Sequence, residues 1–233
     1  MSADGTGRRG RRRMVRSGRR LAVLGAAAAF TVLLAQHTTT AAFTAQTDDT
    51  GNTASTAATF CASPGSSTLS ASADTTTYQT NPTTTYGTSG DTGVGSASGA
   101  NGRVYVKFTL PALAARCVVT AATLRLHAHD PDAGRIIDVY RVDPAAPAWS
   151  EAATHWNNMP ASTVPGVGST SVAAAGWQEW TVTSMVASFY AGTNSGFVLR
   201  DRTEGSGTPY WQLYGARENA TTANRPQLVV SWG

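Results

Sequence analysis

The sequence predicts an all-β domain, a jelly-roll-type β-sandwich with one short helix. Apolar and polar residues alternate in many short runs, and Gly, Pro, Asn and Asp punctuate the chain between them. The composition is rich in Thr, Ser, Ala and Gly and poor in Lys and Glu, which favours strands over helices. Many short strands with turn signals between them are typical of two packed antiparallel sheets.

The clearest predicted strand is the segment 118–130. Apolar residues at 124, 126 and 128 alternate there with Arg125, His127 and His129, so the apolar set faces the core and the polar set faces solvent. A turn-rich stretch covers residues 79–102. The other predicted strands are 67–75, 103–111, 135–142, 196–201, 210–218 and 225–232.

The one predicted helix is short. Thr183 is expected to cap its N-terminus, and Gly192 follows its end. Its apolar side is formed by Met185, Val186, Phe189 and Tyr190.

The N-terminus predicts export from the cell. Eight arginines between residues 8 and 20 precede the apolar run Leu21–Ala35, which is shorter than the roughly 20 residues that cross a bilayer. We expect residues 1–42 to be a cleaved signal peptide, with an uncleaved anchor as the alternative. Residues 43–65 are expected to form a flexible linker and residues 66–233 the domain, secreted and without membrane contact after cleavage.

Removing the leader changes the charge of the chain. The full sequence has a formal charge of +4, but eight of its 18 basic residues and one of its 14 acidic residues lie in the leader. The remainder is mildly acidic and has no Lys/Arg cluster that would neutralise a row of phosphates, so nucleic acid is not an expected partner.

Two cysteines, Cys61 and Cys117, remain after the leader. In an oxidising compartment they are expected to form a disulfide, because no C-x-x-C or metal motif accompanies them. Closing this loop would stabilise the fold by about 4 kcal/mol on the chain-entropy model.

A series of short motifs resembles one known family. In order along the chain they are SADTTTY, NPTTTYGTSG, RVYVKFTLPAL, VTAATLRLHA, VYRV, WSEAATHWNNMP, WTVTSMVASFYAGTNSGFVLRD, YGARE and RPQLVVSW. This series is similar to the DNRLRE domain, also classed as carbohydrate-binding module family 96, from about Asp74 to Trp232. The resemblance implies an extracellular β-sandwich that binds carbohydrate without catalysis, and some members of the family bind acidic polysaccharides.

The segment WSEAATHWNNMP offers an apparent acid–base pair. Glu151 and His155 would stand roughly 13 Å apart on one strand, too far for direct proton exchange. The resemblance instead implies a structural segment. Trp149 is then expected to plug the edge of the sandwich, Trp156 to pack inside it or at its rim, and Glu151 to hold a strand end through backbone N–H groups.

Aromatic rings that stack on sugars and polar side chains that bind hydroxyls or carboxylates are the expected ligand-binding groups. The first set of candidates comprises Tyr210, Trp211, Tyr214, Arg200, Asp201, Arg202 and Glu204. Arg103 and Lys107, which share one face of a strand, are a second candidate site, for an acidic polymer. In the alternative interpretation, Trp211 and Leu213 fill the core while Arg202 and Glu204 form surface pairs.

A structural Ca²⁺ is a possible cofactor. β-Sandwich carbohydrate modules commonly hold one with carboxylate and carbonyl oxygens where the chain ends meet, and Asp74 and Glu218 are the candidate ligands. Alternatively, Asp74 caps a strand end and Glu218 pairs with Arg217.

The expected function is that of a secreted, non-catalytic carbohydrate-binding module whose partner is an extracellular or cell-wall polysaccharide. The alternative is a structural cell-surface or matrix protein that binds no glycan, supported by the stretch AAFTAQTDDTGN, which resembles the start of camelysin-type exported proteins. An enzyme is not expected, because the sequence has no nucleophile elbow, metal motif or close carboxylate pair.

Overall fold

The computed structural model describes residues 60–163 and 165–233. The predicted signal peptide and most of the predicted linker lie outside the described residues. In chain order the elements are β1 (Gly65–Tyr78), β2 (Asp91–Ser96), β3 (Gly102–Phe108), β4 (Val119–Pro131), β5 (Ile136–Arg141), β6 (Val167–Thr170), β7 (Gly176–Thr181), α1 (Thr183–Ala191), β8 (Phe197–Asp201), β9 (Tyr210–Gly215), a 3₁₀ turn (Thr222–Asn224) and β10 (Gln227–Trp232).

All strand pairs are antiparallel, and the hydrogen-bonded path closes on itself. It runs β1–β10–β4–β9–β2–β3 and returns to β1, with β8, β5 and β6 continuing from β3 and β7 pairing with β4. Strand β1 joins the two layers, because its first half pairs with β10 and its second half with β3, with an irregularity between Ala71 and Ala73. The predicted all-β sandwich with one short helix is confirmed.

The core lies between the layers and is built by alternation. Leu124, Leu126 and Ala128 of β4 are fully buried, as predicted, while the intervening polar residues face outward. Trp180 of β7 crosses the core, and its indole Nε1 donates a 2.8 Å hydrogen bond to the carbonyl oxygen of Ile137 in β5. This bond satisfies the one polar atom of the indole, so the large ring is buried without an unpaired donor.

Helix α1 closes one side of the core through Met185, Val186 and Phe189. The prediction that Thr183 caps the helix is wrong by one position, since Val182 is the N-cap and Thr183 is the first helical residue. The Thr183 hydroxyl instead accepts a 3.0 Å hydrogen bond from the backbone N–H of Ala122, so it ties the helix to β4.

Three strands were not expected from the sequence. Strand β2 lies within the stretch that was predicted to form turns. It was missed because Gly93 and Gly95 break the apolar–polar alternation by which strands are recognised. The short strands β6 and β7 were also missed. Strand β5 buries both of its faces, Ile137 and Val139 toward the main core and Asp138 and Tyr140 on the other side, so its pattern indicated no single buried side.

The segment that contains Trp149 covers a second, smaller apolar cluster on the outer side of the β3–β8–β5 layer. Trp149 is 7% exposed, its ring packs edge-on against Tyr105, and its Nε1 donates to the carbonyl oxygen of Ser195 at 2.8 Å. The cluster also contains Tyr140 and Val198. Trp149 is therefore structural and buried, but it covers the outer face of a layer rather than the edge of the sandwich that the sequence predicted.

The predicted disulfide is present. Cys61 and Cys117 are bonded, with Cα atoms 4.2 Å apart, and the bond fastens the segment before β1 to the turn before β4. The indole Nε1 of Trp232 donates to the carbonyl oxygen of Ser63 nearby, so both chain ends of the domain are held together at this point.

Candidate functional site

A cluster of charged groups forms where three parts of the chain meet. These are β1, the segment that contains Trp149 and Glu151, and the loop after β9. We call Asp74, Glu151, Glu218 and Arg217 the acidic cluster. One oxygen from each of the three carboxylates lies within 4.8 Å of the others. Asp74 and Glu218 are the residues that the sequence proposed together, and Glu151 is an addition that comes from a segment 77 residues away from Asp74.

Arg217 binds all three carboxylate residues of the acidic cluster. Its guanidinium donates to both oxygens of Glu151, at 2.9 and 2.8 Å, and lies 2.6 Å from Glu218 Oε1. Its backbone N–H donates to Asp74 Oδ2 at 2.6 Å, and the backbone N–H of Asp74 donates to Glu151 Oε1 at 2.7 Å. Glu151 therefore accepts from a backbone N–H, as expected, but in the interior of β1 rather than at a turn or strand end. The four residues join three distant parts of the chain.

Burial dominates the electrostatics of Asp74. Asp74 is 1% exposed, and the loss of solvation raises the pKa of its carboxyl group to about 7. The hydrogen bond from the Arg217 backbone opposes this rise, while the charges of Glu218 and Glu151 add to it. Hydrogen bonding to Glu151 raises the pKa of Arg217, so the guanidinium stays charged.

A calcium ion fits this donor set poorly. Ca²⁺ takes six to eight oxygen ligands. Both oxygens of Glu151 and one oxygen each of Asp74 and Glu218 already bind Arg217. Only Asp74 Oδ1 and Glu218 Oε2 remain, and the latter is buried without a hydrogen-bond partner. Arg217 supplies the positive charge that a cation would bring.

A pocket of about 330 Å³ opens beside the acidic cluster. Gly87 lies against it, and a Cβ there would stand 2.4 Å from Glu151 Cβ, so no larger residue fits. The residues that line it are Thr85, Gly87, Thr88, Ser150, Glu151, Ala152, Arg217 and Glu218.

Three arginines share the outer surface of the β3–β8–β5 layer. We call Arg103, Arg200 and Arg202 the arginine face. Val104 of β3 pairs with Leu199 of β8, and both side chains lie in the core. Because side chains alternate along a strand, Arg103 and Arg200 stand beside each other on the outer side.

Two of these arginines have carboxylate partners. Arg103 forms a bidentate ion pair with Glu204, at 2.6 and 2.7 Å, and Arg202 forms one with Asp138, at 3.0 and 2.7 Å. Within the part of the chain that the structure describes, Arg200 has no ion-pair partner. The arginine face therefore has one more guanidinium than it has carboxylates.

Aromatic rings orient two of the guanidiniums. Arg200 Cζ lies 4.3 Å from the ring centroid of Tyr140, and Arg103 Cζ lies 5.0 Å from that of Trp156. These are cation–π distances, and the stacking holds each planar guanidinium in one orientation. Trp156 is half-buried next to Arg103 on this outer surface, so it does not pack inside the sandwich, which was one of the two positions expected for it.

The remaining predicted ligand-binding residues are scattered. Tyr214 is fully buried in the core, where its hydroxyl donates to Gln178 Oε1, and Asp201 is 3% exposed and held by Arg135. Both are unavailable to a polysaccharide, because they occupy inward-facing positions of β9 and β8. Tyr210 lies under the Arg135 guanidinium, 3.9 Å from its ring centroid.

Lys107 and Trp211, the last two predicted ligand-binding residues, are not part of the arginine face. Lys107 Nζ lies 4.8 Å from the ring centroid of Trp149, and burial lowers the pKa of its amine. Trp211 is half-buried and points away from the core residues of β9. The alternative interpretation is wrong for the core, since Gln212 and Tyr214 rather than Trp211 and Leu213 are the inward residues of β9. Its other part is confirmed, since Arg202 and Glu204 each form an ion pair.

The histidines within residues 60–163 belong to no group of potential metal ligands. His127 packs edge-on against Trp177, with ring centroids 5.3 Å apart, and His129 Nε2 lies 3.8 Å from Asp91 Oδ1. Among the described residues, the acidic cluster is the one group of three or more potential metal ligands. Glu151 is bound to Arg217, so it is not paired with His155 as an acid–base couple.

Comparison with known families comes to one result. The model of carbohydrate-binding module family 96 matches residues 65–232, which spans the whole sandwich. No curated protein matches the sequence at a significant level. Within residues 60–163 and 165–233, no helix has the length and apolar character needed to span a bilayer.

Proposed function

The chain belongs to carbohydrate-binding module family 96, and we propose that its arginine face binds an acidic extracellular polysaccharide without catalysing a reaction. The observation that carries this proposal is Arg200. It is a half-buried guanidinium, oriented by Tyr140 and standing beside Arg103, and no carboxylate among the described residues neutralises it.

A uronate residue carries the carboxylate that would neutralise the unpaired guanidinium of this surface. Its carboxylate accepts two parallel N–H bonds from one guanidinium, and these charge-assisted bonds are stronger than neutral ones. Repeating carboxylates along a polyuronate would reach Arg200 and then the edges of Arg103 and Arg202. Arg202 is the most accessible of the three, with 54% of its side chain exposed.

The charged groups of the sandwich support binding rather than catalysis. Glu204 and Asp138, the carboxylates of the arginine face, are each held by an arginine in a bidentate pair. A general acid or base must exchange its proton with the substrate, and a carboxylate fixed in this way is a poor candidate. Glu151 is bound by Arg217 in the same manner.

The Cys61–Cys117 bond supports the extracellular location, because disulfides persist in oxidising compartments. Export through the predicted signal peptide is part of this proposal. The structural calcium ion expected from the sequence is not part of this proposal, because the guanidinium of Arg217 would have to leave Glu151 and Glu218 before a cation gained enough oxygen ligands.

Binding to a panel of soluble polysaccharides tests the proposed function. We expect residues 60–233 to bind polygalacturonate or polymannuronate at low salt and to release no reducing ends from either. Arg200→Gln is expected to weaken that binding about tenfold or more, since hydrogen bonds to charged groups contribute about 1.5–3 kcal/mol.

Arg125→Gln is the matched control. Arg125 also stacks on an aromatic ring, 4.6 Å from the centroid of Trp177, but it lies on β4 in the other layer and pairs with Glu179. The Arg125→Gln variant should bind polyuronate as tightly as the unmodified protein does. Equal losses in both variants would contradict the assigned face, and silence across all acidic and neutral glycans would favour a structural matrix role.

A further inference from the structure

A second group of half-buried aromatic residues lies away from the arginine face. We call Tyr78, Tyr86 and Trp211 the aromatic patch. The rings of Tyr78 and Tyr86 are 4.9 Å apart and those of Tyr78 and Trp211 are 5.7 Å apart, both in edge-on arrangements. The three residues come from the end of β1, the following loop and β9, so the fold brings them together.

Two glycines of β2 form the floor of the aromatic patch. A Cβ at Gly95 would stand 2.2 Å from the Trp211 ring, and a Cβ at Gly93 would stand 2.9 Å from the Tyr78 hydroxyl oxygen. Side chains at these positions would push the rings off the sheet. The alternating glycines that hid β2 from the sequence prediction therefore let two rings lie directly on the backbone, in fixed positions.

The polar groups next to the aromatic patch include two carboxylates and several amides. The Trp211 backbone N–H donates to Asp132 Oδ2 at 2.7 Å, and burial together with the smaller effects of nearby groups such as Asp91 raises the pKa of Tyr78. Asn81 Nδ2 donates to the Tyr86 hydroxyl at 2.9 Å, and Asn101 Nδ2 donates to Gln79 Oε1 at 2.8 Å. Amides offer both donors and acceptors, as sugar hydroxyls do. None of the ion pairs among the described residues involves a residue of the patch or these amides.

We propose that the aromatic patch is a second carbohydrate-binding site, which takes an uncharged pyranose ring of a polysaccharide. Fixed aromatic rings bordered by a few amides are suited to a ring with an apolar C–H face and hydroxyl edges. A uronate gains nothing here, because no cation of the patch meets its carboxylate. The inference rests on the proposed function, since it assumes that the ligand is a polysaccharide.

The two sites are separate at the level of single residues. Gly102 contacts the rings of Tyr78 and Trp211, and the next residue, Arg103, points to the opposite side of β3. Each site also has its own tryptophan, Trp211 in the aromatic patch and Trp156 beneath Arg103. Each indole N–H signal therefore reports first on its own site, although the two segments touch where the Asn157 backbone N–H donates to the Pro82 carbonyl oxygen at 3.0 Å.

The test is a set of NMR titrations that follow the indole N–H signals of the six tryptophans in the ¹⁵N-labelled domain. Cellohexaose, xylohexaose and mannohexaose are the uncharged probes, and hexagalacturonate is the charged probe. We expect one or more of the uncharged probes to shift the Trp211 signal and hexagalacturonate to shift that of Trp156. Tyr86→Ala should weaken uncharged binding about three- to tenfold, from the loss of one aromatic contact, and leave hexagalacturonate binding unchanged.

Trp211→Phe identifies the signal and keeps an aromatic ring on the glycine floor, so it guards against a variant that fails to fold. The inference is overturned if none of the uncharged probes shifts Trp211, or if Tyr86→Ala binds them as tightly as the unmodified protein. Failure of the arginine face would be seen separately, as an absent response of Trp156 to hexagalacturonate.

Discussion

The acidic cluster and the arginine face use the same chemical groups in opposite proportions. In the acidic cluster, three carboxylates surround one guanidinium, and Asp74 is almost completely buried. On the arginine face, three guanidiniums meet two carboxylates, and Arg202 is largely exposed. The first joins three segments of the chain, whereas the second lies on the outside of one layer.

This difference teaches how to separate a structural charge cluster from a binding surface. In the acidic cluster the surplus charge is negative and buried, so it costs solvation energy and shifts the pKa of Asp74. On the arginine face the surplus charge is positive and reachable by solvent, so a ligand carboxylate can neutralise it at little cost. The sign and the exposure of the surplus charge, rather than the residue types, distinguish the two.

The largest expected effect concerns the pH dependence of stability. Because the folded-state pKa of Asp74, about 7, lies above its ordinary value of 3.8, the folded protein binds more protons than the unfolded chain between these values. The free energy of unfolding should therefore fall as pH rises from about 4 to about 7, by about 2–4 kcal/mol.

Asp74→Asn isolates this contribution. Its amide oxygen can still accept the Arg217 N–H, but it does not titrate, so the difference in stability between the two proteins should change across this pH range. Urea unfolding at several pH values measures it. Parallel pH profiles for the variant and the unmodified protein would show that Asp74 ionises normally.

The next effect is the loss of Arg217. Arg217→Ala leaves Glu151 and Glu218 without their cation, and we expect it to lower the free energy of unfolding by about 2 kcal/mol. This is less than the 3–5 kcal/mol typical of a broken buried pair, since 38% of the Arg217 side chain is exposed. Arg202→Ala removes a more exposed guanidinium and should cost clearly less. If both variants unfold at the same urea concentration, the structural role of the acidic cluster fails.

The sequence predicted those parts of the fold that depend on local patterns. The alternation in β4 identified its buried side, and the Cys61–Cys117 bond followed from the count of cysteines. Strand β2 escaped because glycines that support Trp211 and Tyr78 are also turn signals. A residue's local pattern does not reveal which side chain will rest upon it.

The charge clusters were predictable only in part. Asp74 and Glu218 were placed together from their positions near the ends of the domain, but Glu151 was not, since it lies in the middle of the domain sequence and no local pattern connects it with β1. Tyr214 and Asp201 were selected by residue type, as an aromatic ring and a polar group that could bind a sugar, yet both side chains face inward. Pairing across distant strands, which no short motif encodes, decides both cases.

Salt should separate the two regions further. Raising NaCl from 50 to 500 mM screens interactions between exposed charges, so we expect polygalacturonate binding to weaken on the order of tenfold. Urea unfolding of the free protein should respond much less, because the contacts of Asp74 are buried. Polygalacturonate affinity that is insensitive to salt would argue against recognition by guanidiniums.

The smallest expected effect is that of calcium on the unmodified protein. With Arg217 in place, millimolar Ca²⁺ added after EDTA treatment should produce no binding heat and no change in Tm. In Arg217→Ala the three carboxylates lose their counter-ion, and Ca²⁺ should restore part of the lost stability. Strong calcium binding by the unmodified protein would mean that Arg217 moves aside.

Calorimetric titration of hexagalacturonate into the domain, with and without Arg200→Gln, tests the central claim most directly. The account predicts saturable binding by the unmodified protein and a loss of about tenfold or more in the variant, while Arg125→Gln binds normally. Undiminished binding by Arg200→Gln, or no binding by the unmodified protein, would contradict it.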